Sequence, residues 1–330
     1  MNRTKILIIR FSSIGDIVLT TPIVRALKNC VKNVELHYLT KPENETLLKN
    51  NKYIDKLHLL KNDLSETTDE LSKEEFGYVV DLQKNLRSLR IKKALGVRAS
   101  SFPKLNIRKW LFVNLKLQCM PAIHIVDRYF EAVRDLEVVN DGKGLDYFFH
   151  EADFVDCETL PAGFQSGYVA CVVGSKHATK QMPTDLMADL CRKIQKPIIL
   201  LGGKGDRDKA AIIGQQVGAK VFNACGNYNI NQSAYLVKNA LGIITPDTGL
   251  MHIAAAFDKN IIAVWGNTVP QFGMYPYRAA NAKGKTYNFE VKNLHCRPCS
   301  KLGYAECPKK HFRCMLGQDT DKIAEIANEW

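Results

Sequence analysis

The chain has 330 residues, a net charge of +12, 46% apolar and 24% charged residues. That is the profile of a soluble globular protein with enough apolar material for two cores. It excludes a disordered chain, and no stretch approaches the ~20 apolar residues of a membrane span. The start, MNRTK running into ILIIRF, has no apolar signal region, so secretion is not expected.

In chain order, strands and helices alternate. Lys5–Phe11 reads as a strand, Ser12–Gly15 as a tight turn and Asp16–Lys28 as a helix. Val34–Leu39 is a second strand, Pro42–Asn50 a helix, Ile54–Leu60 a third strand, Ser65–Glu75 a polar helix and Tyr78–Leu82 a fourth strand. Helices are expected at Asn85–Leu95, Ile107–Leu117 and Ile125–Leu136. Periodicity weakens over Val139–Gly167, which contains Gly142, Gly144, Pro161 and Gly163 and reads as a linker. Alternation then resumes: strands Tyr168–Val173, Pro197–Leu201, Lys220–Phe222, Gly242–Thr245 and Asn260–Trp265, with helices Thr184–Ile194, Asp206–Val217, Asn231–Asn239 and one opening near Leu250. Two such series imply an α/β protein of two open parallel sheets, domains 1–160 and 161–330, with ligand expected in a central cleft.

The charge is uneven. From Leu82 to Val126 there is no acid in 45 residues, against Lys84, Arg87, Arg90, Lys92, Lys93, Arg98, Lys104, Arg108, Lys109 and Lys116. A positive field of this kind suits an anionic partner: nucleic acid, lipid headgroups or a phosphorylated acceptor. Trp110, Phe112 and Leu115 interleave with these charges. They suit either an amphipathic helix on a membrane surface or packing against a core. Aromatics for base stacking are sparse, so nucleic acid is not the expected partner.

Four polar turns sit at strand ends, where parallel sheets place ligands. Ser12–Asp16 (SSIGD) offers Ser13, Gly15 and Asp16, the last either a helix cap or an acid at the ligand edge. Gly174–Pro183 offers Ser175, Lys176, Thr179 and Lys180, a set suited to pyrophosphate. Gly202–Asp206 (GGKGD) ends in an acid able to bond a ribose. Pro246–Gly249 (PDTG) runs straight into a helix whose first amides are aimed at the sheet edge, forming an anion seat with Thr248 and Gly249. His252 on that helix reads as a buried structural residue or a ligand contact. Neither GxGxxG nor a phosphate-binding P-loop is present.

Asp247-Thr248-Gly249, Met251-His252 and Ala254-Ala255-Ala256 together resemble the DTGxxHxAAA signature of glycosyltransferase family nine, the heptosyltransferases. FSSIGDIVLTTP, DLQKNLRS (Asp81–Ser88), LGGKGD (Leu201–Asp206) and WGNT (Trp265–Thr268) match the same family in the same order. Two departures are Lys180-Gln181-Met182-Pro183 for Lys-x-Trp-Pro, and Asn267 where the family has Pro.

The resemblance implies two Rossmann-like domains of the GT-B type and inverting transfer of heptose from ADP-heptose to a lipid-linked lipopolysaccharide acceptor. The alternative is a different nucleotide sugar. It implies Asp16 as general base and Lys180 as the charge on the leaving diphosphate. Donor contacts would come from Ser175, Lys176, Thr179, Asp206, Asp247, Thr248, Gly249 and His252, and acceptor contacts from Ser13, Gly15, Arg87 and Arg90. No cofactor or catalytic metal is implied. The implied location is cytoplasmic, peripheral on the inner membrane face.

Cys30, Cys119, Cys157, Cys171, Cys191 and Cys225 are scattered and read as small core residues. Cys296, Cys299, Cys307 and Cys314 form C-x2-C-x7-C-x6-C, a spacing able to close a structural zinc site or simply to pack a reduced loop.

Overall fold

The computed structural model describes residues 4–330, apart from the side chain of Cys157. The chain forms two compact units: 4–104 with 123–148, and 105–122 with 149–330.

In the first unit five parallel strands are β1 (Thr4–Ile9), β2 (Val34–Thr40), β3 (Lys56–Leu59), β4 (Tyr78–Asp81) and β5 (Ala99–Ser101), in the order β3-β2-β1-β4-β5. Ile6, Leu7, Ile8 and Ile9 are fully buried, because a central parallel strand is covered on both faces. The chain winds outward from β1 to β3 and then returns to lay β4 on the other side of β1. This reversal leaves a crevice at the C-terminal ends of β1 and β4.

The expected helix Asp16–Lys28 is two helices, α1 (Ile14–Val18) and α2 (Thr21–Cys30). Pro22 has no amide to donate to Val18, and the Thr20 and Thr21 hydroxyls donate to the Ile17 and Val18 carbonyls at 2.7 and 2.8 Å. Pro42–Leu47 is a single 3-10 segment. Helices α3 (Leu64–Ser72), α4 (Leu86–Leu95) and α6 (Ile125–Phe130) belong to this unit, whereas α5 (Asn106–Leu115) groups with the second.

The second unit's sheet is also wholly parallel. Its strands are β6 (Val169–Val172), β7 (Ile198–Leu201), β8 (Val221–Asn223), β9 (Gly242–Pro246), β10 (Asn260–Trp265) and β11 (Thr286–Glu290), in the order β11-β10-β9-β6-β7-β8. Winding again reverses, here between β6 and β9, which pair through Val169–Gly242 and Cys171–Ile244. Helices α7 (Thr184–Lys193), α8 (Arg207–Val217), α9 (Ile230–Asn239), α10 (Gly249–Ala256), α11 (Arg313–Leu316) and α12 (Thr320–Asn328) complete it. β5, β11 and the last two helices were not expected. β5 and β11 are short and half-buried, so neither carries the apolar run of a central strand.

Candidate active site

The reversal between β6 and β9 brings two of the sequence motifs together. After β6, Ala178–Lys180 forms a 3-10 turn, and after β9 the chain passes through Asp247 and Thr248 into α10. Lys180 Nζ lies 2.6 Å from Asp247 Oδ2, with both side chains about 15% exposed. Thr268 Oγ1 donates to the same oxygen at 3.1 Å. The carboxylate thus fixes the ammonium beside the first turn of α10 and leaves it reachable. Thr248 is the N-cap residue and makes no side-chain bond to the helix amides; its hydroxyl meets that of Thr245 at 3.0 Å. A cation held next to free helix amides is a place for a diphosphate.

Other donor candidates fall into different roles. Thr179 is buried, and its hydroxyl accepts from Tyr304 N at 2.8 Å. Lys176 is exposed and Ser175 half-buried, its carbonyl accepting from Gln181 Nε2 at 2.8 Å. Burial lowers the His177 pKa, and the neighbouring Lys180 and Lys176 add to the effect. His252 is buried within α10. Asp206 Oδ2 accepts from Gly203 N at 2.8 Å, and the carboxylate packs directly on the backbone of Gly174, where an added Cβ would fall 2.0 Å from Oδ2. That close approach is why the loop after β6 begins with glycine.

Lys209 was not expected. From the first turn of α8 its Nζ donates to Met182 O (2.6 Å), Val173 O (3.3 Å) and Gln181 Oε1 (3.4 Å), so it ties both ends of the Lys180 loop. Burial lowers its pKa, with Asp206 opposing. The available signal was a lysine beside Ala210 and one turn before Ile213, on the helix's buried face.

In the first unit, Asp16 lies in the first turn of α1 at the β1 end. Its Oδ2 accepts from Ser13 N (3.1 Å) and Ser13 Oγ (2.7 Å), the geometry of a helix cap. Its Oδ1 lies 2.5 Å from Arg10. Arg10 is buried and also donates to Ser12 O and Leu82 O. Burial lowers its pKa, but Asp16 and the nearby Tyr129 and Tyr38 outweigh that and raise it overall. Arg10 therefore stays charged and favours the anionic form of Asp16. Nothing in the motif had pointed to Arg10.

The DLQKNLRS stretch supports this turn. Asp81 is buried and accepts from Gln83 N, Lys84 N, Ser88 Oγ and Lys92 Nζ, while Gln83 Oε1 accepts from Phe11 N at 3.0 Å. Gly15 is buried, whereas Ser13, Arg87 and Arg90 are exposed. Of the basic tract, Lys84, Lys104 and Lys116 donate to backbone carbonyls. Part of that charge is thus structural.

The cysteine-rich loop is bonded to the turn that carries Thr179 and to Asn267 after β10. Cys299 N donates to Asn267 O at 3.1 Å, and Thr179 N and Tyr304 O are joined at 3.2 Å. Cys296 Sγ lies 3.7 Å from His311 Nε2. Burial pushes the Cys299 thiol up to about 12 and the Cys314 thiol to about 11, with neighbouring cysteine thiols acting in the same direction. Cys171, Cys191 and Cys225 are buried as expected, whereas Cys30 is exposed and Cys119 half-buried. His37, His58 and Glu74 bring ligand atoms within 4.8 Å of one another. They are held by each other, by Glu35 and by Lys5 and Lys56.

Two wholly parallel α/β units, each with a crevice at the reversal point of its sheet, are the architecture of the GT-B class. The solved structures with this fold include Escherichia coli ADP-heptose lps heptosyltransferase II (TM-score 0.72, 15% identity, 99% of this chain and 98% of that one). E. coli heptosyltransferase WaaC with ADP is another (0.66, 17%, 99% of each). The lipopolysaccharide heptosyltransferase 1 of Campylobacter coli is 25% identical over 289 residues, 80% of this chain and 84% of that protein. Residues 66–303 match the family model for glycosyltransferase family 9 (heptosyltransferase), and the chain belongs to that family. The matched span contains Lys180 and Asp247 and leaves Asp16 outside.

Proposed function

We propose that this enzyme transfers heptose from ADP-heptose to a hydroxyl of the lipid-linked lipopolysaccharide inner core, with inversion. The observation carrying the reading is the Lys180–Asp247 pair beside the start of α10, at the reversal point of the second sheet. In the reaction the acceptor oxygen bonds to the anomeric carbon as the bond to the diphosphate breaks. Asp16 takes the hydroxyl proton, a role that contributes ~10²–10⁴-fold. Lys180 and the amides following Thr248 meet the charge growing on ADP, and preorganised donors of this kind contribute roughly 10²–10³ each. Because a lysine and a helix end carry that charge, the chemistry needs no divalent metal.

Asp247 holds Lys180 and stands near the sugar hydroxyls, while Lys209 and the Thr179–Tyr304 contact keep the loop in place. The first unit serves the acceptor, with Ser13, Gly15, Arg87 and Arg90 near it, and the second serves the donor, with Ser175, Lys176 and Asp206 assisting. A lipid-linked acceptor puts the enzyme on the cytoplasmic side, peripheral to the inner membrane. No described helix is long and apolar enough to cross a membrane.

The test is a thermal-shift panel of nucleotide sugars. ADP-heptose and ADP should stabilise the protein. Stabilisation by UDP-sugars alone would replace the donor, and stabilisation by nucleic acid alone would remove the enzyme reading.

A further inference from the structure

We infer that α5 is the element that docks this protein on a bilayer carrying anionic phospholipid. The inference deepens the peripheral placement proposed above and rests on that reading. None of the ten residues of α5 is buried. One side is held down, Phe112 against the Phe272 ring at 5.8 Å and Lys116 Nζ donating to Cys296 O and Pro298 O at 3.2 and 2.8 Å. Ile107 and Trp110 point away from that side by helical spacing, and Leu115 lies at the helix end, one turn after Phe112. They are 77, 57 and 54% exposed, and Leu117 just beyond is equally so.

Ile107 and Trp110 sit one turn apart on the exposed side, and adjoining exposed apolar side chains are uncommon without a partner. Indole prefers the boundary between hydrocarbon and water. The charge on the same helix selects the partner: Arg108 and Lys109 adjoin Ile107 and Trp110 in the chain, and 105–122 contains no acid. Basic residues beside an apolar face match anionic headgroups over hydrocarbon. A second copy docked by the same face about a two-fold axis would bring two acid-free segments together, and like charges oppose it. Nucleic acid would satisfy the charge and leave Ile107 and Leu115 with nothing to contact.

The test is co-sedimentation of the full chain with sucrose-loaded vesicles, either phosphatidylcholine alone or an equal mixture with phosphatidylglycerol. Wild type should pellet with the mixed vesicles, weakly with neutral ones, and be released by high salt. The double variant Ile107→Ser/Trp110→Ser should bind the mixed vesicles at least ~10-fold more weakly, with melting temperature and ADP affinity unchanged. Equal pelleting of the variant, or no pelleting of wild type, overturns the inference. A dimer in sedimentation equilibrium that the double variant abolishes would assign the face to a second copy and also overturn it. Vesicle binding without heptose transfer would instead count against the proposed reaction alone.

Discussion

Lys180 and Asp247 should behave as one unit in a double-mutant cycle. At 2.6 Å the bare attraction is about 6 kcal/mol at an effective dielectric of 20. Desolvation of two mostly buried groups offsets much of this, leaving an expected coupling of about 1–3 kcal/mol. Lys180→Ala should lower kcat/KM by ~10²–10³, or about 2.7–4 kcal/mol. Asp247→Ala alone should cost ~10² because the ammonium loses its anchor and Thr268 loses its acceptor. Independent effects would multiply to ~10⁴–10⁵. The double variant should instead fall within about tenfold of Lys180→Ala. The assay is initial-rate ADP release at saturating acceptor, with ADP affinity measured separately for each variant. Multiplicative losses would show that the two residues act independently, and an Asp247→Ala enzyme of normal activity would show that the ion pair is a bystander to the chemistry.

Arg10→Met removes the permanent positive charge beside Asp16. The carboxylate should then accept a proton at higher pH, so the acid limb of the kcat/KM profile moves upward; an unmoved limb would separate Asp16 from the rate-determining proton transfer. Gly174→Ala puts a methyl 2.0 Å from Asp206 Oδ2. It should cost about 1–3 kcal/mol in urea melts and raise the donor KM, whereas Gly163→Ala, with nothing within 4 Å, is the neutral control. His58 is lowered from 6.5 to about 4, first by burial and then by His37. Between those values the unfolded chain holds the extra proton, so stability should fall as pH drops from 6.5 towards 4, and His58→Gln should flatten that slope in urea melts at several pH values.

Long apolar strands announce themselves in the sequence. ILII at β1 and GIIT at β9 are covered on both faces and could hardly be anything else, and each strand-end turn that follows them carries a candidate group. What escaped was set by tertiary packing. Ala99–Ser101 pairs with β4 along its backbone, and its three small side chains leave no apolar pattern. Thr286–Glu290 lies at the sheet edge on β10, with no apolar run to mark it. Arg10 and Lys209 escaped because a buried cation looks like any surface cation until its acceptors, contributed by residues such as Leu82 and Met182, are in place. Asp16 shows how one residue can satisfy two readings, since the carboxylate that caps α1 through Ser13 is also the one paired with Arg10. Helix α5 had two readings in the sequence; Phe112 packs on Phe272 as the core reading expects, while Trp110 on the other side is exposed.

The most direct measurement supplies purified enzyme with ADP-heptose and a lipid A-linked acceptor and follows ADP release in wild type and Asp16→Asn. The wild type should release ADP only when both substrates are present. The variant should release none above background while binding ADP within a few-fold of wild type. Near-normal turnover by Asp16→Asn, or turnover of UDP-sugars in place of ADP-heptose, would contradict the account.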